Sequence, residues 1–192
     1  MPNSSVFLIG LHGAGKSTLG RHLSQKHGWC HISIGDLGRL ARRGQRPSDF
    51  SSRLISELSA YTPGGVMSER LLDSIALEID KNRQYKPVVC DGFPSQFEQL
   101  PMIPTGSSVV HLHCTDRMRE ARLDHRASQT KRQWTPGLSS ERDNDLPLLL
   151  QSLKSHPDRQ ALRFFELENA VNGIESLEML ALELIKKSAA VF

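Results

Sequence analysis

Residues Gly10-Leu-His-Gly-Ala-Gly-Lys-Ser17 satisfy the phosphate-loop pattern G-x-x-x-x-G-K-[ST] at every specified position. Glycines in such a loop let backbone N–H groups turn inward around an anion, where a Cβ would obstruct. A helix that starts at the loop adds its partial positive charge. The lysine can reach the β- and γ-phosphates of a nucleoside triphosphate, and the following hydroxyl can ligate Mg²⁺. On this reading Gly10, His12, Gly13, Ala14, Gly15, Lys16, Ser17 and Thr18 meet the triphosphate, and Ser17 meets the metal. The competing reading is a glycine-rich turn with no ligand. The flanks argue against it: Val6-Phe7-Leu8-Ile9 reads as a buried strand, and Ser17 to His27 reads as a helix stopped by Gly28. Strand, glycine loop and helix together are the context that gives the pattern its mechanism.

Three further groups of residues could act with the loop. Ser33-Ile34-Gly35-Asp36-Leu37-Gly38-Arg39 follows an apolar run. Asp36 can cap the helix it begins, and Arg39, one turn on, points back toward the strand end that carries the phosphate loop. Asp91-Gly92-Phe93-Pro94 follows another apolar run. An aspartate at a strand end there can hold the water shell of Mg²⁺, or it can serve only as a turn or cap residue. Arg122 and Arg126 are four apart on an expected helix and share a face; a solvated helix surface is the plainer alternative.

These residues need a frame to hold them. Apolar runs predict strands at Val6–Ile9, Trp29–Ile32, Pro87–Cys90, Ser108–His113 and Arg163–Leu167. Helices are expected at Lys16–His27, Asp36–Arg43, Phe50–Ala60, Ser68–Lys81, Asp116–Arg126, Asp145–Ser155 and Ile174–Ser188. Phe50, Leu54, Ile55 and Leu58 share one helical face, as do Leu71, Leu72, Ile75 and Ile79. Ser48 and Ser68 are expected N-caps, and Gly44 a C-terminal stop. Short apolar strands separated by helices imply an α/β fold with a parallel sheet covered on both faces. Ligands on such sheets bind beyond the carboxyl ends of the strands, where all these motifs fall. Two stretches depart from the alternation. Residues 35–82 read as a helical substrate-holding insert, and the polar, turn-rich residues 127–142 read as a short lid or, more plainly, a surface loop.

The 192 residues, 38% hydrophobic and 23% charged, suit a single soluble domain spanning 1–192. No apolar run reaches the ~20 residues of a membrane span, and no signal peptide is expected, so a cytoplasmic setting follows. Cys30, Cys90 and Cys114 lie in or beside apolar runs without C-x-x-C spacing. They read as buried small hydrophobes rather than zinc ligands. The net charge of +3 is carried by arginines concentrated between Arg117 and Arg132. A polyphosphate site explains them without invoking nucleic acid.

At this point the chain resembles the adenylate kinase and nucleoside monophosphate kinase family along nearly its whole length. Ile34-Gly35-Asp36-Leu37-Gly38-Arg39 is similar to its [TA]-G-D-[LM]-x-R segment, and Gly64-Gly65-Val66-Met67-Ser68-Glu69 to its G-x-[LV]-V-[PTS]-[DE] segment. Asp91 to Gln99 resembles D-G-F-P-R-x-x-x-Q, Arg142-Asp143-Asn144-Asp145 resembles R-x-D-D, and Val171-Asn172-Gly173 resembles the turn beside the ATP adenine. The resemblance implies a phosphate-loop NTPase three-layer sandwich with five parallel strands. It implies ATP and Mg²⁺ as cofactors, a small-molecule phosphate acceptor, and a monomer without nucleic-acid or membrane partners. Lys16, Arg39, Arg126 and Arg142 would be catalytic, and Arg122, Arg126 and Gly173 would also hold ATP. Ile34, Gly35, Asp36, Arg39, Gly65, Val66, Met67, Gly92, Ser95 and Gln99 would hold the acceptor, and Ser17 and Asp91 the metal.

This chain departs from the family at four places. Ser95 stands where the family clamps the acceptor phosphate with arginine, Asn144 replaces the first aspartate of R-x-D-D, and Leu153 replaces a second catalytic arginine. Losing two bidentate cations is not conservative. Ile34 is bulkier than the usual Thr or Ala. Three functions therefore stay open at the level of sequence. One is an ATP-dependent nucleoside monophosphate kinase with an altered acceptor site. Another is a kinase of the same fold acting on a hydroxyl of a non-phosphorylated small molecule or nucleoside. The third is a non-catalytic nucleotide-binding protein, which the intact Lys16, Ser17 and Asp91 argue against.

Overall fold

The computed structural model describes residues 4–62, 65–130, 141–155, 162–170 and 173–189. Their elements alternate as β1 (Ser5–Ile9), α1 (Lys16–His27), β2 (Cys30–Ser33), α2 (Ile34–Arg42), α3 (Ser52–Ala60), α4 (Glu69–Arg83) and β3 (Val88–Asp91). A 3-10 helix (Phe97–Met102), β4 (Ser107–His113), α5 (Asp116–Gln129), α6 (Glu141–Asn144), α7 (Leu146–Ser155), β5 (Leu162–Glu168) and α8 (Ile174–Ala189) follow. The five strands form one sheet in the order β2-β3-β1-β4-β5, parallel at every pairing.

Strand alternation explains the layers. In β1, Val6 and Leu8 face one side, where they pack with Leu19 and Leu23 of α1 and with Leu180, Ala181 and Leu184 of α8. Phe7 and Ile9 face the other, against Leu54 and Leu58 of α3, Ile75 and Ile79 of α4 and Leu149 of α7. All five β1 residues are buried, as a strand with helices on both faces requires. Phe7 also meets Phe93 edge-on, with ring centroids 5.9 Å apart, which seats the turn after β3 on the core.

Local chemistry corrects several boundaries. The expected helix start at Asp36 moves to Ile34, because Ser33 is the cap: its Oγ accepts from the Asp36 N–H. This frees the Asp36 carboxylate for ion pairs. The next helix is capped by Ser51 rather than Ser48, through the Leu54 N–H. The Ser51 N–H in turn donates to the buried Glu78 carboxylate at 3.0 Å. Burial pushes the Glu78 carboxyl up, but hydrogen bonds from Ser51 and Lys81 outweigh it and hold the group below its ordinary value. Ser68 caps α4 as expected, and Gly44 lies just past α2 with φ +73°. Helix α5 runs on to Gln129, so the first residues assigned to a lid are helical. Residues 131–140, the middle of that stretch, lie outside the described residues. The 3-10 helix was not legible, because Pro101 within it reads as a loop signal.

Cys30 and Cys90 are buried, whereas Cys114 is only half-buried, and all three are free thiols. Burial pushes each thiol up from its ordinary value. We expect a maleimide at neutral pH to label Cys114 first, with Cys30 and Cys90 reacting only on unfolding. Mass spectrometry of native and denatured samples checks this; labelling of Cys90 in the native protein at the Cys114 rate would contradict the packing described.

Candidate active site

The phosphate loop leaves β1 at Gly10 and enters α1 at Lys16. Gly10 and Gly15 have φ of +137° and +100°, outside the range open to side chains. Space also forbids a Cβ there: on Gly10 it would stand 2.1 Å from the Leu112 carbonyl oxygen, and on Gly15 2.4 Å from Asn169 Nδ2. The loop is therefore wedged against the ends of β4 and β5. Asn169, just past β5, is the wedge. Its N–H donates to the His113 carbonyl at 2.7 Å, and its Nδ2 donates to the Ala14 carbonyl at 2.8 Å. Arg122 of α5 crosses the same point, donating to the Ala14 carbonyl and to both oxygens of Asn169. On the other flank, the His12 N–H and Nδ1 meet Asp143 Oδ1 at 3.2 and 3.0 Å, tying the loop to α6. The Lys16 ammonium folds over the loop and donates to the Gly10 and Leu11 carbonyls at 2.5 and 2.9 Å.

Asp91 ends β3 beside this loop and is 4% exposed. Its Oδ1 accepts from Ser17 Oγ at 3.0 Å and Ser33 Oγ at 3.1 Å. Its Oδ2 lies 2.7 Å from His31 Nε2. Burial pushes the Asp91 carboxyl up, but the hydrogen bond and charge of His31, the Lys16 ammonium and the Ser17 hydroxyl together bring it below its ordinary value. A carboxylate and a hydroxyl, both oxygen donors beside a phosphate loop, suit a hard cation such as Mg²⁺.

A cleft of about 630 Å³ opens from these residues, within the range of small-molecule sites. The same cleft is lined by Gly35, Asp36 and Arg39 of α2, and by Gly92, Pro94 and Ser95 of the turn after β3. Asp36 pairs with Arg39 of its own helix and with Arg21 of α1 at 2.9 Å. Gln99 sits buried behind Ser95, its Oε1 accepting the Ser95 N–H at 2.8 Å. Gln96 reaches Asp145.

Of the residues singled out from sequence, Gly10, His12, Gly13, Gly15, Lys16, Ser17, Thr18, Gly35, Asp36, Arg39, Asp91, Gly92, Ser95, Arg122, Arg126 and Gly173 line this one cleft. Others are placed elsewhere. The Ala14 side is buried, and the residue contributes its carbonyl to the loop's hydrogen bonds. Ile34 and Met67 are apolar and go into the core, 1% and 4% exposed. Val66 is 79% exposed, and neither it nor Gly65 borders the cleft. Arg142 belongs to α6, but its side chain lies outside the described residues, as does Gly64.

Arg21, His31, Asp143 and Asn169 hold the site's polar groups in place and were not singled out. Arg21 carried a signal: it stands four after Ser17 on α1 and so shares its face. His31 carried a weaker one, two before Ser33 on a strand and so on the same side as that residue. Asp143 lay inside a quoted motif without a role of its own. Asn169 carried none, since its partner Ala14 is 155 residues away.

Residues 6–146 match the family model described as an AAA domain. An adenylate kinase of Mesomycoplasma hyopneumoniae strain J is 28% identical over 200 residues, covering 99% of this chain and 90% of that protein. Another, from strain 7448 of that species, is 33% identical over 115 residues, covering 58% of this chain and 50% of the relative. An adenylate kinase of Chlamydia pneumoniae is 29% identical over 116 residues, again spanning about half (53%) of the relative. Among solved structures, a gluconokinase from Sinorhizobium meliloti 1021 superposes with a TM-score of 0.50 at 20% identity, over 97% of this chain and 98% of the other. That likeness concerns the fold. No described helix is long and apolar enough to cross a membrane.

Proposed function

The chain belongs to the P-loop kinases, as a divergent member matched by the AAA domain model, and from that premise we propose that it transfers the γ-phosphoryl of ATP to a nucleoside monophosphate through an altered acceptor site. One observation carries this reading. The loop with Lys16, Ser17 and Asp91 and the Arg21–Asp36–Arg39 group open onto the same cleft. Phosphoryl transfer asks little covalent chemistry of a protein; it asks for alignment and positive charge around the moving group. In this reading Lys16 leaves the loop carbonyls for the donor phosphates. Ser17 and Asp91 would hold Mg²⁺, which would supply positive charge against the phosphates. The loop residues from Gly10 to Thr18, together with Gly173, Arg122 and Arg126, surround ATP. Gly35, Asp36, Arg39, Gly92 and Ser95 face the acceptor, and Gln99 fixes Ser95 from behind. Arg126 and Arg142, at either end of 127–142, close over the transferring group and exclude water.

A second reading, transfer to a hydroxyl of a non-phosphorylated acceptor, draws on Ser95. Its backbone is held by Gln99, and it offers no cation for a phosphate. Asp36 in the cleft could then take the hydroxyl proton.

A panel of acceptors separates the two. With ATP and Mg²⁺, AMP, CMP, UMP, GMP and dTMP are expected to yield ADP above the rate of ATP hydrolysis alone, and the corresponding nucleosides are not. Turnover confined to non-phosphorylated acceptors would replace the first reading by the second.

A further inference from the structure

Helices α1 and α8, which contribute Lys16, Ser17, Thr18 and Leu177 to the cleft, also meet through side chains that do not line it. There His22 and His27 of α1 converge on Glu178 of α8. His22 Nε2 stands 2.5 Å from Glu178 Oε2. His27 Nε2 stands 3.2 Å from Oε1 and 3.3 Å from Oε2 of the same carboxylate. One ligand atom from each of the three residues lies within 4.8 Å of the others. The His22 side chain is 9% exposed, and those of His27 and Glu178 are 20% and 39% exposed. The group is thus walled on one side and open to solvent on the other.

We propose that this cluster binds a first-row divalent cation of the zinc type, with the two Nε2 atoms and one Glu178 oxygen as ligands and solvent completing the shell. The donor set selects the ion: two imidazoles and a carboxylate suit Zn²⁺ and its neighbours, whereas Mg²⁺ demands oxygen. The geometry is close to what is needed. Bonds of about 2.0–2.1 Å in a tetrahedral shell put ligand atoms roughly 3.3–3.5 Å apart. The His27 separations already match, and the His22 separation must open by less than about 1 Å, which the part-exposed Glu178 permits. The three residues escape a search of the sequence because His22 and His27 are five apart rather than four. His27 can still turn to the carboxylate because it is the last residue of α1, followed by Gly28 in the left-handed conformation. A bound ion would clip α1 to α8. Those helices supply Lys16, Ser17 and Thr18, and Leu177, to the cleft. The proposal is independent of which acceptor the kinase uses.

The test is titration of the untagged chain with Zn²⁺ alone, without nucleotide, by calorimetry. Thermal unfolding and the visible spectrum of the Co²⁺ form are followed in parallel. The wild type is expected to bind one Zn²⁺ per chain, to unfold at a higher temperature with it, and to give Co²⁺ bands without thiolate charge transfer. His27→Gln and Glu178→Gln, both part-exposed, should fold as the parent does without metal, lose about a hundredfold or more in affinity, and lose the thermal shift. His111→Gln, in the separate His111–His113 pair beside Glu166, should change none of these. The proposal is overturned if the wild type fails to bind Zn²⁺ at tens of micromolar. Undiminished affinity in His27→Gln and Glu178→Gln, a thiolate signature, or loss of binding in His111→Gln would each overturn it as well.

Discussion

Lys16→Ala is expected to cut phosphoryl transfer about a hundred- to a thousandfold and to weaken ATP binding. A pre-placed cation on the transferring group is worth about 3–4 kcal/mol when removed from a site that excludes water. The alanine variant loses more than charge. The Lys16 ammonium donates to the Gly10 and Leu11 carbonyls, so its removal also loosens the loop that presents the backbone N–H groups. Lys16→Met loses the same charge and the same carbonyl contacts but keeps the aliphatic stem, so any ATP affinity it retains over Lys16→Ala measures the packing of the stem alone. Either variant must first be shown to be folded, by circular dichroism and its unfolding midpoint. Activity within tenfold of the parent in folded Lys16→Ala would remove the catalytic reading of the loop.

What the sequence disclosed depended on how local the causes were. The phosphate loop was legible because pattern, strand and helix are contiguous, and the parallel sheet because each strand is a short apolar run before a helix. The cap of α3 was not. Ser48 and Ser51 stand on either side of Phe50, where the apolar period begins, and what selects Ser51 is Glu78, 27 residues away, receiving its N–H. Met67 shows another side of this. A motif resemblance sets it against an acceptor, and the structure buries its flexible apolar side chain in the core, where it is 4% exposed. The boundaries of β2 and β3 each slide by one residue toward the site, because Ser33 and Asp91 pair in register. Polar residues that end strands carry no apolar signal, yet it is these ends that chemistry uses.

The proposed acceptor site shows this most sharply, and Ser95 is where it can be tested. A monophosphate brings about two negative charges that must be held during transfer. In the proposed reading Arg39 and Arg21 would face it, and both engage the single Asp36 carboxylate. Two guanidiniums and one carboxylate leave a net charge of +1. One bidentate cation more would match the phosphate, and such a contact is worth about 1.5–3 kcal/mol, or roughly ten- to a hundredfold. The parent is therefore expected to use AMP and its relatives weakly, with a high acceptor KM. Ser95→Arg should raise kcat/KM for the preferred monophosphate by about tenfold or more. The substitution leaves the hydrogen bond from the residue 95 N–H to Gln99 in place, so the new side chain starts from a fixed backbone beside the cleft. Arg21→Ala completes the comparison. If Arg21 already serves the phosphate, the parent turns over AMP efficiently, Arg21→Ala costs the ten- to hundredfold instead, and Ser95→Arg gains little. If the true acceptor carries no phosphate, Ser95→Arg lowers activity by setting an uncompensated cation against it. Measuring kcat/KM for AMP, CMP, UMP, GMP and dTMP with parent and both variants gives three distinct patterns. Only a gain in Ser95→Arg over a weak parent fits an acceptor site that has lost its clamp but kept its nucleotide.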